Sequence, residues 1–95
     1  MKAIVTVVGK DRVGIIAQVS TQLANYKINI LDISQTVMQG YFTMMMVVDV
    51  SAANLPLAEL VVLMEEMGKE RGLSILTFPD DTFLTSYQFR LSITD

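Results

Sequence analysis

The chain has 95 residues and a mass of 10.6 kDa; 52% of the residues are hydrophobic and none is cysteine, which matches one compact domain. Seven Lys and Arg against ten Asp and Glu leave a net charge of −3, the wrong sign for direct binding to nucleic acid. The lack of His and Cys removes the usual metal ligands and the most frequent general base, so neither a metal nor a cofactor is predicted.

The first 26 residues alternate a strand pattern with a helix pattern. Lys2–Val8 is rich in Val and Ile and stops at Gly9, which predicts a buried strand followed by a turn. Helical spacing of apolar residues predicts an amphipathic helix from Val13 to Tyr26. The residues that define its stripe are Ile16, Val19 and Leu23. Asp11 is the predicted N-cap of this helix, because a short carboxylate can accept a hydrogen bond from a free amide.

A β-hairpin is predicted next. Asn29–Met38 and Tyr41–Val50 are β-type segments separated by Gln39 and Gly40, and glycine supplies the positive φ that a tight hairpin needs. Alternate residues of the second strand are expected to face the helices. These are Phe42, Met44, Met46, Val48 and Val50.

A second helix and a final strand complete the pattern. Pro56 is expected in the first turn of the helix, where its missing N–H has no intrahelical acceptor, and Gly72 suits a left-handed stop. The apolar stripe consists of Leu57, Leu60, Val61 and Met64. Leu73–Phe78 is predicted to be the last core strand, ended by Pro79.

The order βαββαβ predicts an α+β, ferredoxin-like sandwich with a four-stranded antiparallel sheet and two helices on one face. Strands one and three are expected in the middle and strand two at an edge. Residues 29–38 carry no Pro and one charge, Asp32, so this edge is open to another chain and a homodimer through strand two is predicted. Met45, Val47 and Ile33 are expected on one apolar sheet face, which makes a tetramer conceivable.

The C-terminal segment lies outside this pattern. We divide the chain into a domain over residues 1–79 and an extension over 80–95. In the extension the apolar residues alternate with polar ones from Tyr87 to Ile93, which favours a fifth strand; an irregular terminus is the alternative.

The turn after strand one is the most informative segment for function. Gly9 and Gly14 bracket four residues as in a P-loop, but Ile15 and Ile16 stand where Lys and Ser or Thr are required, so nucleotide binding is excluded. Free amides around Val13, Gly14 and Ile15 would suit a small anion; the alternative is that the glycines serve only the turn and helix–sheet packing.

Two polar residues join this candidate site. Asp11 would hold a ligand ammonium, if it does not simply cap the helix. Asn29 is expected beside the turn, where its side chain offers both a donor and an acceptor; a plain loop residue is the alternative.

At these residues the chain resembles the ACT domains, small-molecule sensing modules of βαββαβ form. The resemblance covers about residues 1 to 79 and rests on VTVVGKDRVGIIAQVSTQLA, KINILDISQTV and QGYFTMMMVVDV. It is similar in particular to standalone bacterial ACT proteins, whose relatives include the ACT units of the glycine-cleavage-system regulator. The extension departs from that pattern, since it has no histidine.

The resemblance implies side-by-side dimers through strand two, with an amino acid held at the interface. It implies that Gly14, flanked by Val13 and Ile15, lies at the ligand. Asp11 corresponds to the acid of the turn, and Asn29, next to Ile30, to the polar residue that opens strand two.

The leading hypothesis is therefore a non-enzymatic regulatory dimer that binds an amino acid or similar metabolite. A ligand-free module that docks on another regulator is the alternative. An acylphosphatase-like hydrolase using Arg12 and Asn29 is a minor one, because Asp11 would repel the phosphate.

Localisation follows from the apolar segments. The segment before Lys10 is too short for a signal peptide, and Tyr41–Val48 falls far short of the roughly 20 residues that cross a bilayer. We expect a cytoplasmic protein with no membrane partner.

Overall fold

The structure, a computed structural model, describes residues 1–10 and 13–79. The elements in chain order are β1 (Lys2–Gly9), α1 (Ile15–Asn25), β2 (Asn29–Met38), β3 (Tyr41–Asp49), α2 (Leu57–Glu70) and β4 (Ser74–Pro79). The predicted βαββαβ order is confirmed. The predictions for Asp11 and Arg12 as site residues, for the fifth strand at 87–93 and for the extension over 80–95 lie outside the described residues.

The four strands form one antiparallel sheet in the order β2-β3-β1-β4. The prediction that strands one and three are central and strand two is at an edge is confirmed. Since β1 and β2 both run antiparallel to β3, they are parallel to each other. Helix α1 therefore returns the chain from the end of the sheet where β1 stops to the end where it started.

The core lies between the sheet and the two helices. Alternate strand residues are buried with the apolar sides of α1 and α2, as the period of two in β3 predicts. The members of the core on β3 are Phe42, Met44, Met46 and Val48, each at most 3% exposed. On the helices the fully packed residues are Ile15, Val19, Leu23, Leu60 and Met64.

The start of α1 differs from the prediction. The helix begins at Ile15 with Gly14 as its N-cap, so the prediction that Asp11 occupies the N-cap is wrong. The later start also shifts the buried stripe, because Ile15 is 3% exposed whereas Ile16 is only partly buried. The preference of Asp for N-cap positions predicts a helix start that is too early. The packing of Ile15 on the sheet determines where the helix begins.

The end of α2 confirms the predicted stop. Gly72 has φ +70° and directly follows the C-cap, Arg71. The Leu73 amide donates to the Gly68 carbonyl at 2.7 Å, and the Gly72 amide to the Lys69 carbonyl at 3.4 Å. These two bonds form a Schellman motif, which satisfies carbonyls that the helix end leaves free. At the other end, Pro56 is the N-cap, one residue before the predicted first turn.

The hairpin between β2 and β3 confirms the predicted turn. Met38 is paired with Tyr41 across a two-residue connection, and φ is +53° at Gln39 and +82° at Gly40. Two positive φ values define a type I′ turn, whose twist matches that of the flanking strands. The turn fixes the register of the edge strand.

A β-bulge at Leu31 changes which side chains of β2 share a face. Beyond it Ile33 is paired with Met46, which faces the helices, whereas Met45 and Val47 point to the open face. The prediction that Ile33 lies on the same face as Met45 and Val47 is therefore wrong. The extra residue reverses the alternation, and the sequence alone does not show it.

Candidate ligand-binding site

The turn between β1 and α1 presents open backbone. Gly14 has φ +76°, and a Cβ at this position would meet only the Gln18 Nε2 atom, at 4.0 Å. Val13 beside it is 83% exposed. Glycine thus suits this position for its backbone angle and not for packing, and the space in front of Gly14 is accessible to a ligand.

The N-terminus of α1 presents amide donors that make no intrahelical hydrogen bond. The first amides of any α-helix have no intrahelical acceptor, and the first intrahelical bond here runs from the Gln18 amide to the Gly14 carbonyl at 3.0 Å. Among the described residues, no side chain caps this end and no acidic residue lies in the first turn. The amides and the helix dipole therefore favour a carboxylate at this position.

Asn29 and Ile30 lie at the other end of the sheet. Asn29 and Lys2 both align with Asp49, whereas Gly9, which precedes the turn, aligns with Phe42. The distance along β3 from Asp49 to Phe42 is about 23 Å at 3.3 Å per residue. Within one chain the structure thus brings Val13, Gly14 and Ile15 together but does not place Asn29 beside them.

This separation also removes the geometry of an acylphosphatase-like site. That hypothesis needs the β1–α1 turn and Asn29 to hold one phosphate, and in a single chain they are at opposite ends of the sheet. Asn29 follows α1 directly in the sequence, but the helix itself spans much of the distance between them, about 16 Å for its 11 residues.

Strand β2 is an exposed edge with apolar side chains. Every residue from 31 to 40 is exposed. The large apolar residues among them are Leu31, Ile33, Val37 and Met38, which are 46%, 36%, 55% and 64% exposed. An uncovered apolar edge strand of this length is a template for pairing with another chain.

The alternation of hydrogen-bonded and non-hydrogen-bonded residue pairs between β2 and β3 shows which backbone groups of β2 point away from the sheet. Residues that flank a two-residue turn form a hydrogen-bonded pair, so Met38 and every second residue before it bond to β3. Ile33, Gln35 and Val37 therefore point their amides and carbonyls away from the sheet. The Ile33 amide donates instead to Asp32 Oδ1 at 2.9 Å, a contact that the sequence does not predict.

A cluster of hydrogen-bonded polar groups lies at the end of the sheet near Asn29. The pKa of Asp49 is lowered by hydrogen bonds from Ser51 and, to a smaller extent, by attraction to the N-terminal amine and Lys2, while desolvation opposes the shift. The Ser51 amide donates to Asp49 Oδ1 at 2.9 Å, and the Met1 amine donates to Ser51 Oγ at 2.7 Å. The Asp49 carboxylate is thus already paired within the chain.

Comparison with known proteins identifies the family. The model of the ACT domain matches residues 2–76, most of the chain. The chain belongs to the ACT domain family. ACT domains are regulatory modules, many of which bind amino acids. Within the described residues, none of the helices of this ACT domain is long and apolar enough to cross a membrane.

UPF0237 proteins are among the relatives of this ACT domain. One from Clostridium acetobutylicum is 57% identical over 75 residues, which cover 79% of this chain and 84% of the relative. One from Pyrobaculum aerophilum is 46% identical over 81 residues, which cover 85% and 90%. The similarity therefore extends over nearly the whole length of both relatives.

Solved structures confirm the fold. An ACT domain protein from Streptococcus pneumoniae has a TM-score of 0.78 and 44% identity, covering 87% of this chain and 93% of that chain. A protein assigned as a glycine cleavage system transcriptional repressor has a TM-score of 0.66 and 22% identity, covering 80% and 43%. At 22% identity, the similarity to the repressor shows a shared fold and nothing further.

Proposed function

We propose that this ACT domain is a non-enzymatic regulatory module of the cytoplasm, which binds an amino acid or a similar small metabolite between two copies of the chain. The observation that carries the proposal is the exposed apolar edge of β2 together with the N-terminus of α1 at Gly14, which no side chain of the described residues caps. The exposed edge is open to pairing with a second strand, and the helix N-terminus favours an anion. A dimer with an amino acid bound at its interface would satisfy both.

Asn29 is far from Gly14 within one chain, but antiparallel pairing of two β2 strands would bring Asn29 of one chain close to Gly14 of the other. A twofold axis near the middle of residues 29–38 brings Asn29 of the second copy beside Met38. Met38 adjoins the hairpin, at the end of the sheet where β1 stops and α1 begins. The candidate site is then formed by the turn of one chain and the start of β2 from the other.

The chemistry of such a site fits a free amino acid. The ligand carboxylate would accept hydrogen bonds from the α1 amides around Val13, Gly14 and Ile15, at the positive end of the helix. The side-chain oxygen of Asn29 from the second copy, with Asp11, would accept hydrogen bonds from the ammonium, and Ile30 would adjoin the ligand side chain. A ligand that touches both chains binds the dimer more tightly than the monomer, so it stabilises association.

The test combines thermal unfolding with sedimentation velocity. The full chain is screened against the common amino acids, acyl phosphates and nucleotides at millimolar concentration. An amino acid at ~100 times its dissociation constant adds about 2.7 kcal/mol of apparent stability. We expect one to raise the melting temperature and the fraction of dimer together.

Gly14→Asp is the diagnostic variant, with Gly14→Asn as its matched control. Asp and Asn both tolerate the left-handed backbone angle of Gly14, but only Asp places a negative charge at the anion site. We expect Gly14→Asp to abolish the ligand response and Gly14→Asn to keep part of it. An equal response in both variants, or a chain that remains monomeric with every ligand, would contradict the proposal.

A dimer that responds to no small molecule would instead favour the alternative, a ligand-free module that docks on another regulator. Hydrolysis of acetyl phosphate would show an enzyme. Both outcomes are read from the same samples.

A further inference from the structure

A cavity of about 440 Å³ opens at the end of the sheet opposite Asn29. Three elements meet there: the end of β1, the start of β3 and the turn between α2 and β4. The residues that matter for its chemistry are Val8, Lys10, Tyr41 and Arg71, with Gly9 and Leu73 also lining it. The volume is within the range of small-molecule sites.

The strand register explains why these side chains converge. Gly9 aligns with Phe42 on one side, and Val8 with Ser74 on the other. The next position, Lys10, therefore lies between Tyr41 and the turn that carries Arg71. Lys10 and Tyr41 share the open face of the sheet, because Val8 and Thr43 precede and follow them by two residues on that face.

Gly9 allows the Leu73 side chain to pack closely against the end of β1, where it forms the wall of the cavity. A Cβ at Gly9 would collide with the end of the Leu73 side chain, so a larger residue here would shift that side chain away from the end of β1. Leu73 is held in turn by the hydrogen bond from its amide to Gly68. The wall behind the cavity is thus fixed by packing and by the end of α2.

The charged side chains among the described residues that line the cavity are cationic. Two of the seven cationic side chains of the chain, Lys10 and Arg71, line it, and none of the described residues that line it is acidic. Arg71 contacts Glu70 at 3.9 Å, but their side chains are 40% and 77% exposed, so water screens this pair. The cavity therefore favours an anion and repels the ammonium of an amino acid.

An apolar surface adjoins the two cations. Val8 is 38% and Tyr41 45% exposed, and on the same open face Leu76 is 39% and Met45 40% exposed. We propose that the cavity is a second ligand site, distinct from the one at Gly14, that binds a small organic anion. Its charged end lies between Lys10 and Arg71, and its apolar part covers Val8 and Tyr41.

The test is an NMR titration of the full chain, observed through backbone amide shifts. Phenylacetate and phenyl phosphate are the probes, and they distinguish a carboxylate from a phosphate as the preferred charged group. Acetate and inorganic phosphate supply the charge alone, and benzyl alcohol the ring alone. We expect saturable shifts at Gly9, Tyr41 and Gly72 with at least one aryl anion, at lower concentrations than with any of the three partial probes.

Charge-removing variants identify the site. Lys10→Gln and Arg71→Gln are each expected to weaken aryl anion binding about tenfold, the cost of one charge-assisted hydrogen bond. Lys69→Gln is the matched control, because Lys69 lies at the same end of α2 but pairs with Glu65 at 3.8 Å and does not line the cavity. It should leave binding unchanged.

Two results would overturn the assignment. One is the absence of saturable shifts with both aryl anions. The other is a loss in Arg71→Gln without a loss in Lys10→Gln, which would place the ligand in the neighbouring cavity of about 300 Å³ that Arg71 also lines. Gly14→Asp is expected to leave aryl anion binding within twofold of the unmodified chain, so this site and the proposed amino acid site fail or succeed separately.

Discussion

Replacing Gln35 with proline separates strand pairing between chains from strand pairing within one chain. Gln35 aligns with Met44 in a pair whose amides and carbonyls point away from β3, so its N–H contributes nothing to the β2–β3 ladder. Proline removes that N–H and is accepted on edge strands when the missing donor faces outward. Gln35→Pro should leave the monomer folded and block the proposed dimer.

The magnitude follows from the symmetry of the interface. In a twofold β2–β2 pairing, each copy of Gln35 donates one hydrogen bond to the other chain, so the variant removes two bonds from each dimer. At about 1 kcal/mol for each bond the loss is about 2 kcal/mol, or roughly 30-fold in the dissociation constant. Steric conflict between the proline ring and the facing strand adds to this cost.

Sedimentation equilibrium measures the dissociation constant, and far-ultraviolet circular dichroism checks the fold. Gln35→Ala is the matched control, because it removes the same side chain and keeps the N–H. We expect Gln35→Ala to dimerise like the unmodified chain. Equal association of the proline and alanine variants, with the fold retained, would refute pairing through β2.

Two further predictions concern packing and charge. Gly68→Ala places a Cβ 2.8 Å from the Leu73 carbonyl oxygen and 3.0 Å from Ile75 Cγ1, and overpacking of about 1–3 kcal/mol outweighs the helix-propensity gain of about 0.5–1 kcal/mol. Its melting temperature should fall by several degrees in calorimetry, and a rise would contradict the packing. Asp32→Asn keeps the acceptor for the Ile33 amide but removes a like charge from near the twofold axis. Dimerisation at neutral pH and low salt should tighten a few-fold, and unchanged sedimentation would show that the two carboxylates lie too far apart in the dimer to repel each other.

The sequence predicts strand β3 and the hairpin because a single requirement determines each of them: burial of one face for the strand and the backbone angles of the turn for the hairpin. In β3 every second residue from Phe42 to Val48 is apolar and fully buried, so burial and the period of the strand agree. At Gln39 and Gly40 two positive φ values give a type I′ turn, which joins the strands without splaying them. Family resemblance adds the expected ligand class but was not needed for these elements.

The wrong predictions arose where two local preferences compete. Asp11 is a good cap by residue type, but the helix begins where Ile15 reaches the core, and Gly14 accepts the backbone angle that this start requires. In β2 the polar and apolar residues alternate only loosely, so the sequence does not reveal the bulge at Leu31. The cationic cavity was missed because Lys10 and Arg71 are 61 residues apart and meet only through the strand register.

The location of Asn29 could have been deduced from topology. Two parallel strands joined by a helix must start at the same end of the sheet, so a residue that opens β2 cannot lie at the end where β1 stops. One chain therefore contains half of the proposed amino acid site at each end. Antiparallel pairing of β2 with its copy brings the two halves together twice, once for each ligand. It follows that Gln35→Pro should remove the response to amino acids along with the dimer, although Gln35 itself touches neither half.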